Sequence, residues 1–133
     1  MTRDCSFIPR FAAIVALCSI LACSAEPALP GPGPGTVLAT LVGPAQEGEG
    51  GAVIELFGSG IQSIEGVQPT QAFSRLNESG ARVVLINQEG ALLMFLIALA
   101  DTLQIPDVVI VEVAGPADAL RTDLSQYKVE FTR

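Results

Sequence analysis

Short apolar runs separated by turn-forming residues dominate the sequence from residue 36 onward. Each run is rich in Val, Ile, Leu and Phe, and clusters of Gly, Pro, Asn and Ser stand between the runs. The runs recur roughly every 8–12 residues, a spacing typical of all-β sandwiches and barrels. They comprise residues 36–42, 52–57, 61–67, 71–76, 81–86, 91–98, 107–113 and 126–132. The pattern predicts an antiparallel β-sandwich of seven or eight short strands, Ig-like or jelly-roll-like.

Alternation of apolar and polar residues predicts which side chains face the core. The last two runs have a polar outward set that includes Glu112, Lys128 and Glu130. Their predicted inward set is Val109, Val111, Val113, Tyr127, Val129 and Phe131. Residues 81–86, apart from Arg82, and residues 91–98 are apolar on both faces, which favours central strands or a covered outer face.

Two similar turns lie between the middle runs. Asn77-Glu78-Ser79-Gly80 and Asn87-Gln88-Glu89-Gly90 both place Asn first and Gly fourth. Asn opens type I turns, and Gly accepts the left-handed conformation that closes a hairpin. Together they predict a three-stranded meander over residues 71–98.

Two segments allow a helical interpretation. Residues 91–104 contain good helix formers at helical spacing, although the neighbouring strands favour a strand to about Ala98 followed by a loop past Pro106. Residues 116–124 are predicted to hold one helical turn with Pro116 near its start.

The first 22 residues have a different character. Arg3 and Arg10 precede an uncharged apolar segment, residues 11–22, which is shorter than the roughly 20 residues that span a membrane. A basic start, a short apolar segment and small residues are typical of a secretory signal peptide. An ordinary buried N-terminal helix is the alternative.

The end of this segment, Ile20-Leu21-Ala22-Cys23, resembles the lipobox of bacterial lipoproteins. The resemblance implies cleavage before Cys23, acylation of Cys23, and a lipid anchor in the cell membrane or outer membrane. Soluble secretion after cleavage at Ala25 is the alternative. The other two cysteines, Cys5 and Cys18, lie in the predicted signal and would be removed with it. Cys23 would then have no cysteine to pair with in the exported chain, and acylation would account for its presence.

Residues 23–35 are rich in Pro and Gly, which alternate over 30–35, and they predict an extended tether. The predicted organisation is therefore a signal peptide over 1–22, a lipidated tether over 23–35 and a β-sandwich domain over 36–133. The domain would lie outside the cytoplasm, in the periplasm or at the cell surface.

The net charge and the composition argue against several classes of function. The formal net charge is −7, which argues against a nucleic-acid partner, because phosphate binding needs clustered Lys and Arg. No His is present to act as general base or metal ligand. The sequence predicts no catalytic residue, no metal site and no cofactor. A hydrolase using paired carboxylates is the enzymatic alternative.

Residues 46–51, QEGEGG, form the densest acidic segment. Glu47 and Glu49 could contribute to a weak Ca²⁺ site, but a flexible connection is the favoured interpretation. Sugar binding usually needs exposed aromatic faces, and only Phe57 and Phe73 are predicted to be exposed.

The segments GAVIELFGSGIQSIEGV, GALLMFLIA and YKVEF resemble cohesin-like β-sandwich modules. That resemblance implies non-catalytic binding of proteins or sugars. The sequence thus predicts a binding or structural module, anchored to a membrane, with a protein or carbohydrate partner in the cell envelope. A subunit that pairs through the apolar faces near residues 83–98 is a further possibility.

Overall fold

Eight strands form the domain, one for each apolar run. The computed structural model describes residues 31–45 and 48–133. The strands are β1 (Gly35–Val42), β2 (Gly51–Phe57), β3 (Ile61–Gly66), β4 (Gln71–Asn77), β5 (Gly80–Ile86), β6 (Met94–Leu99), β7 (Asp107–Ala114) and β8 (Lys128–Thr132).

The strands lie in two four-stranded antiparallel sheets. The first sheet has the order β3-β6-β1-β8, and the second has the order β4-β5-β2-β7. The prediction of an all-β sandwich is confirmed. So is the central position of the two strands that are apolar on both faces, because β5 and β6 each have a neighbour on both sides.

The chain crosses between the sheets after almost every strand. Among the described residues, β4 and β5 are the only consecutive strands in one ladder, closed at Asn77 and Gly80. The predicted meander over residues 71–98 is therefore wrong in its second half. β4 and β2 occupy both edges of β5, so β6 cannot pair with β5 and instead pairs with β1 and β3.

The two ambiguous segments contain no helix. Residues 94–99 form the strand β6, as the neighbouring strands favoured, and the loop that follows ends at Pro106, directly before β7. The helical turn predicted over residues 116–124 is wrong. The segment makes turns instead, because Gly115 N donates to Ala119 O (2.9 Å) and Leu120 forms an antiparallel bridge to Ala114.

A β-bulge changes the inward set of β7. The register shifts between Val53, opposite Glu112, and Ile54, opposite Ile110, so that the extra residue Val111 has no partner in the ladder. Strict alternation across this point fails, and Val109, predicted to face the core, is 49% exposed. The core instead receives Val108 and Ile110 before the bulge and Val113 after it.

The core lies between the inward faces of the two sheets. Its largest completely buried side chain is Phe95, from the centre of the first sheet. The buried apolar residues are Val37, Ala39, Leu41, Ala52, Ile54, Leu56, Ile64, Ala81, Val83, Leu85, Leu93, Phe95, Ile97, Leu99, Val113 and Tyr127. Phe131 and Val129 pack partly buried against this cluster, as the alternation in β8 predicted.

Phe95 and Phe73 provide a matched test of this core. Phe95 is fully buried and Phe73 is 57% exposed. Phe95→Ala should lower the free energy of unfolding by about 3–5 kcal/mol, because it removes buried contacts and leaves a cavity. Phe73→Ala should change it by less than about 0.5 kcal/mol. Urea denaturation of both variants measures the difference, and equal losses would contradict this assignment of the core.

Candidate binding face

The outer face of the second sheet carries an apolar row across three strands. The strand registers place Phe73 of β4 beside Val84 of β5, and Val84 beside Val53 of β2. Ile86, in the adjacent row, is 38% exposed. Phe73 is exposed, and Val84 and Val53 are half-buried, so the row forms an apolar strip on a solvated sheet face, and contiguous exposed apolar surface can mark an interaction site.

A cleft of about 240 Å³ lies at one end of this face. Its origin is Gly51, which has no side chain and stands in the row between Ile86 and Ala114. Leu120, 66% exposed, also lines the cleft. The full lining is Gly50, Gly51, Ala52, Val53, Val84, Leu85, Ile86, Glu112, Ala114, Asp118 and Leu120. The cleft therefore combines an apolar lining with two carboxylates.

The segment that carries Leu120 is held against β7 by its main chain. Arg121 N donates to Val113 O at 2.8 Å. Asp118 has a left-handed backbone (φ 57°), which Asp tolerates better than most residues. Gly50 allows the close approach, because a Cβ at this position would lie 2.6 Å from Gly115 O.

A buried carboxylate fixes the same segment from the other side. Glu49, 6% exposed, accepts a hydrogen bond from Arg121 Nε (3.0 Å) and a short one from the Tyr127 hydroxyl. We call these three residues the Glu49 cluster. It joins the residues that precede β2 to the connection between β7 and β8. A buried carboxylate needs such partners, because desolvation of an unpaired charge is costly.

The cluster changes the acidity of its members. Burial, reinforced by the hydrogen bond to Glu49, raises the pKa of Tyr127 to about 12. The hydrogen bond to Glu49 and its negative charge raise the pKa of Arg121, so the guanidinium remains charged at any ordinary pH. The arrangement is a structural ion pair in which each Glu49 oxygen already accepts a hydrogen bond.

The exposed aromatic residues lie where the sequence predicted, but far apart. Phe57 is 46% exposed and Phe73 is 57% exposed, and both are on the outer face of the second sheet. They stand two strands and two rows of outward-facing residues apart, which is roughly 16 Å by ordinary sheet spacings. The sheet therefore does not bring them together as one stacking platform for a sugar ring.

Other predicted residues fall outside the cleft. Cys23 and Glu47 lie outside the described residues. Glu49, a candidate ligand for Ca²⁺ in the sequence, accepts hydrogen bonds from Arg121 and Tyr127. Within residues 31–45 and 48–133 no group of three or more His, Cys, Asp or Glu side chains is arranged to hold a metal ion.

Sequence reasoning missed both the Glu49 cluster and the cleft. One signal was present: a Tyr on the buried face of a strand needs a partner for its hydroxyl, and Tyr127 was predicted to face inward. The partner, Glu49, is 78 residues away in the chain, and no local pattern connects the two. The cleft depends on the pairing of Gly51 with Ile86 and Ala114, which only the sheet registers reveal.

The chain matches no protein-family model, no curated protein and no solved structure. In the part of the chain that the structure describes, no helix is long and apolar enough to cross a membrane.

Tyr127 is the only tyrosine, so its ionisation can be followed by phenolate absorbance. We expect the folded protein to titrate near pH 12 and the unfolded chain near pH 10. The folded state holds its proton more tightly, so the stabilisation is complete below pH 10 and is lost as the pH rises to about 12.

Tyr127→Phe is the matched variant. It should lower the free energy of unfolding at pH 7 by about 1–3 kcal/mol, because Glu49 loses a buried donor. It should also lack the Tyr127-linked loss of stability between pH 10 and 12. A wild-type phenol that titrates near pH 10 in the folded state would contradict the cluster.

Proposed function

We propose that this chain is an exported, lipid-anchored protein whose β-sandwich binds a partner of the cell envelope without catalysis. The anchor is Cys23, and the binding surface is the cleft with the adjoining apolar strip. The observation that carries the binding function is the cleft over Gly51, where Ile86, Leu120 and the floor of the sheet remain accessible.

The lining of the cleft favours a protein partner over a sugar. Apolar side chains surround a space that can take a side chain of a few carbon atoms, and burial of such a group contributes about 25 cal/mol per Å². Glu112 and Asp118, both exposed, line the same space. Their charge favours Lys or Arg beside the apolar group of the partner.

The position of the cleft suits an anchored protein. The described chain enters at the start of β1, where Thr102 N donates to Gly33 O (2.9 Å) and Gly33 N donates to Asp101 (3.3 Å). β1 then runs the length of the sandwich, about 25 Å for eight residues in extended conformation. The cleft lies at the far end, so a tether at Gly33 would leave it directed away from the membrane.

The pair of carboxylates also supports a second candidate, a hydrolase. Glu112 and Asp118 line one cleft, and two carboxyl groups can serve as acid and base. Burial is what usually adapts a carboxyl group to act as general acid, and both of these are exposed. Binding is therefore the better supported function. Turnover of a glycoside or ester substrate that Glu112→Gln abolishes would favour the hydrolase.

Cys23→Ser tests the anchor. In cells that produce the protein, the wild-type chain should incorporate a palmitate analogue and sediment with membranes. The Cys23→Ser variant should lose the label. Cys18→Ser is the control, because that cysteine belongs to the segment that cleavage would remove. Undiminished labelling of Cys23→Ser would overturn the anchor.

A photoreactive residue in place of Leu120 tests the cleft. Leu120 and Leu103 are exposed leucines, 66% and 48% respectively, but Leu103 lies at the entry end of the sandwich. We expect a discrete crosslinked envelope protein from position 120 and none from position 103. Glu112→Arg should reduce the yield from position 120 several-fold by repelling a basic group. Equal crosslinking from both positions would contradict binding at the cleft.

A further inference from the structure

We propose that the partner bound by the outer face of the second sheet is a second copy of this chain. The two copies would pack face to face about a two-fold axis that runs parallel to the strands, between β5 and β2. The inference rests on the proposed function, because it uses the same cleft and the same anchor, and it names the partner.

The first argument is a projecting side chain that stands beside a cavity. In the end row of the face, Ile86 of β5 lies next to Gly51 of β2. Ile86 is 38% exposed, and Gly51 lines the cleft of about 240 Å³. Rotation about the axis exchanges the places of β5 and β2, so the Ile86 side chain of each copy enters the cleft over Gly51 of the other. The branched alkyl group of Ile is smaller than this cleft.

The second argument is the distribution of charge over the face. The outward-facing residues of β4 and β5 include Arg75 and Arg82 but no acid. The outward-facing residues of β2 and β7 include no base but three acids, which are Glu55, Asp107 and Glu112. The same rotation lays the basic half of each copy on the acidic half of the other. Opposite charges therefore meet across the interface.

The residues nearest the axis show this match row by row. Within one copy Arg82 and Glu55 lie in the same row and form an ion pair of 2.9 Å. Both side chains retain exposed surface, 57% for Arg82 and 33% for Glu55. In the dimer each Arg82 lies opposite the Glu55 of the other copy, so four charges alternate in sign around the axis. In the row between these charges and the cleft, Val84 lies opposite Val53, and apolar surface meets apolar surface.

Other positions of the axis lose the match. An axis along β5 would set Ile86 against Ile86 and Arg82 against Arg82, and an axis along β2 would set Glu55 against Glu55. Like charges in direct opposition are unfavourable. An axis perpendicular to the strands would place the two Gly33 entries at opposite ends of the dimer. The proposed axis preserves the strand direction, so both chains enter at the same end, as two proteins anchored in one membrane require.

The size of the face predicts a weak dimer that the membrane strengthens. Four strands of seven or eight residues cover roughly 19 Å by 25 Å. Pairing would therefore bury on the order of 1,000 Å² over both copies, which is near the lower limit for a specific interface. Anchoring in one membrane raises the effective concentration of each copy for the other. The dimer is therefore best detected in the membrane.

The photoreactive residue at position 120 identifies the partner in cells that produce the full-length chain. The bridge to Ala114 places Leu120 beyond β7 in the end row, so it faces the β4 edge of the other copy. We expect a product with twice the mass of the chain that yields peptides of this chain only. A product that contains a different protein would overturn this inference but agree with the proposed function. Absence of any product would contradict both.

Ile86→Ala tests the projecting side chain. It should lower the yield of the crosslinked dimer about five-fold, because a buried anchor of the interface is lost. Leu103→Ala is the matched control, since Leu103 is also exposed, at 48% against 38% for Ile86, but lies at the entry end. It should leave the yield unchanged. An undiminished yield from Ile86→Ala would overturn the arrangement.

An exchange of charge tests the register at the axis. Arg82→Glu leaves two carboxylates at the centre of the face, and Glu55→Arg leaves two guanidinium groups. Neither variant should pair with itself, whereas the two variants, produced together with different tags, should crosslink to each other. If both are folded by circular dichroism and do not pair, the register is wrong. If either does not fold, the Ile86→Ala result decides.

Discussion

The inward faces of the four central strands must be buried against one another, and this requirement determines the path of the chain. β1 and β6 form the middle of the first sheet, and β2 and β5 form the middle of the second. β5 pairs with the preceding strand β4, whereas β6 crosses to the other sheet because β4 and β2 occupy both edges of β5. The other connections between the described strands also cross, so that successive strands add to both inward faces.

The Glu49 cluster stabilises one end of the sandwich through an ion pair and two hydrogen bonds. A carboxylate that is 6% exposed would destabilise the fold without donors, because its hydration is lost. Arg121 and Tyr127 supply those donors and thereby fix the connection between β7 and β8, which contains no regular secondary structure beyond an isolated bridge. The shape of the accessible cleft therefore depends on an interaction that is not part of its lining.

Much of the fold could be predicted from local pattern. The strand positions follow from apolar runs and turn residues, and Asn77 and Asn87 both open turns by accepting the amide of the residue two positions later. Sheet membership could not be predicted, because the same Asn-to-Gly turn precedes a hairpin partner in one case and a crossing in the other. Val109 was assigned to the wrong face of β7 because the bulge at Val111 adds one residue to the strand. Nothing in the amino-acid composition of the strand indicates that bulge. The cleft could not be predicted, since Gly51 matters only through its cross-strand neighbours.

The entry of the chain into β1 has a mechanical consequence. β1 is bonded along one edge to β6 and along the other to β8. A force applied at Gly33 acts along the strand axis, so it loads both ladders in shear and distributes the tension over many hydrogen bonds at once. An edge strand pulled sideways would instead release its bonds one by one. Tension applied at Gly33 would therefore be carried by the ladders to β6 and β8 together.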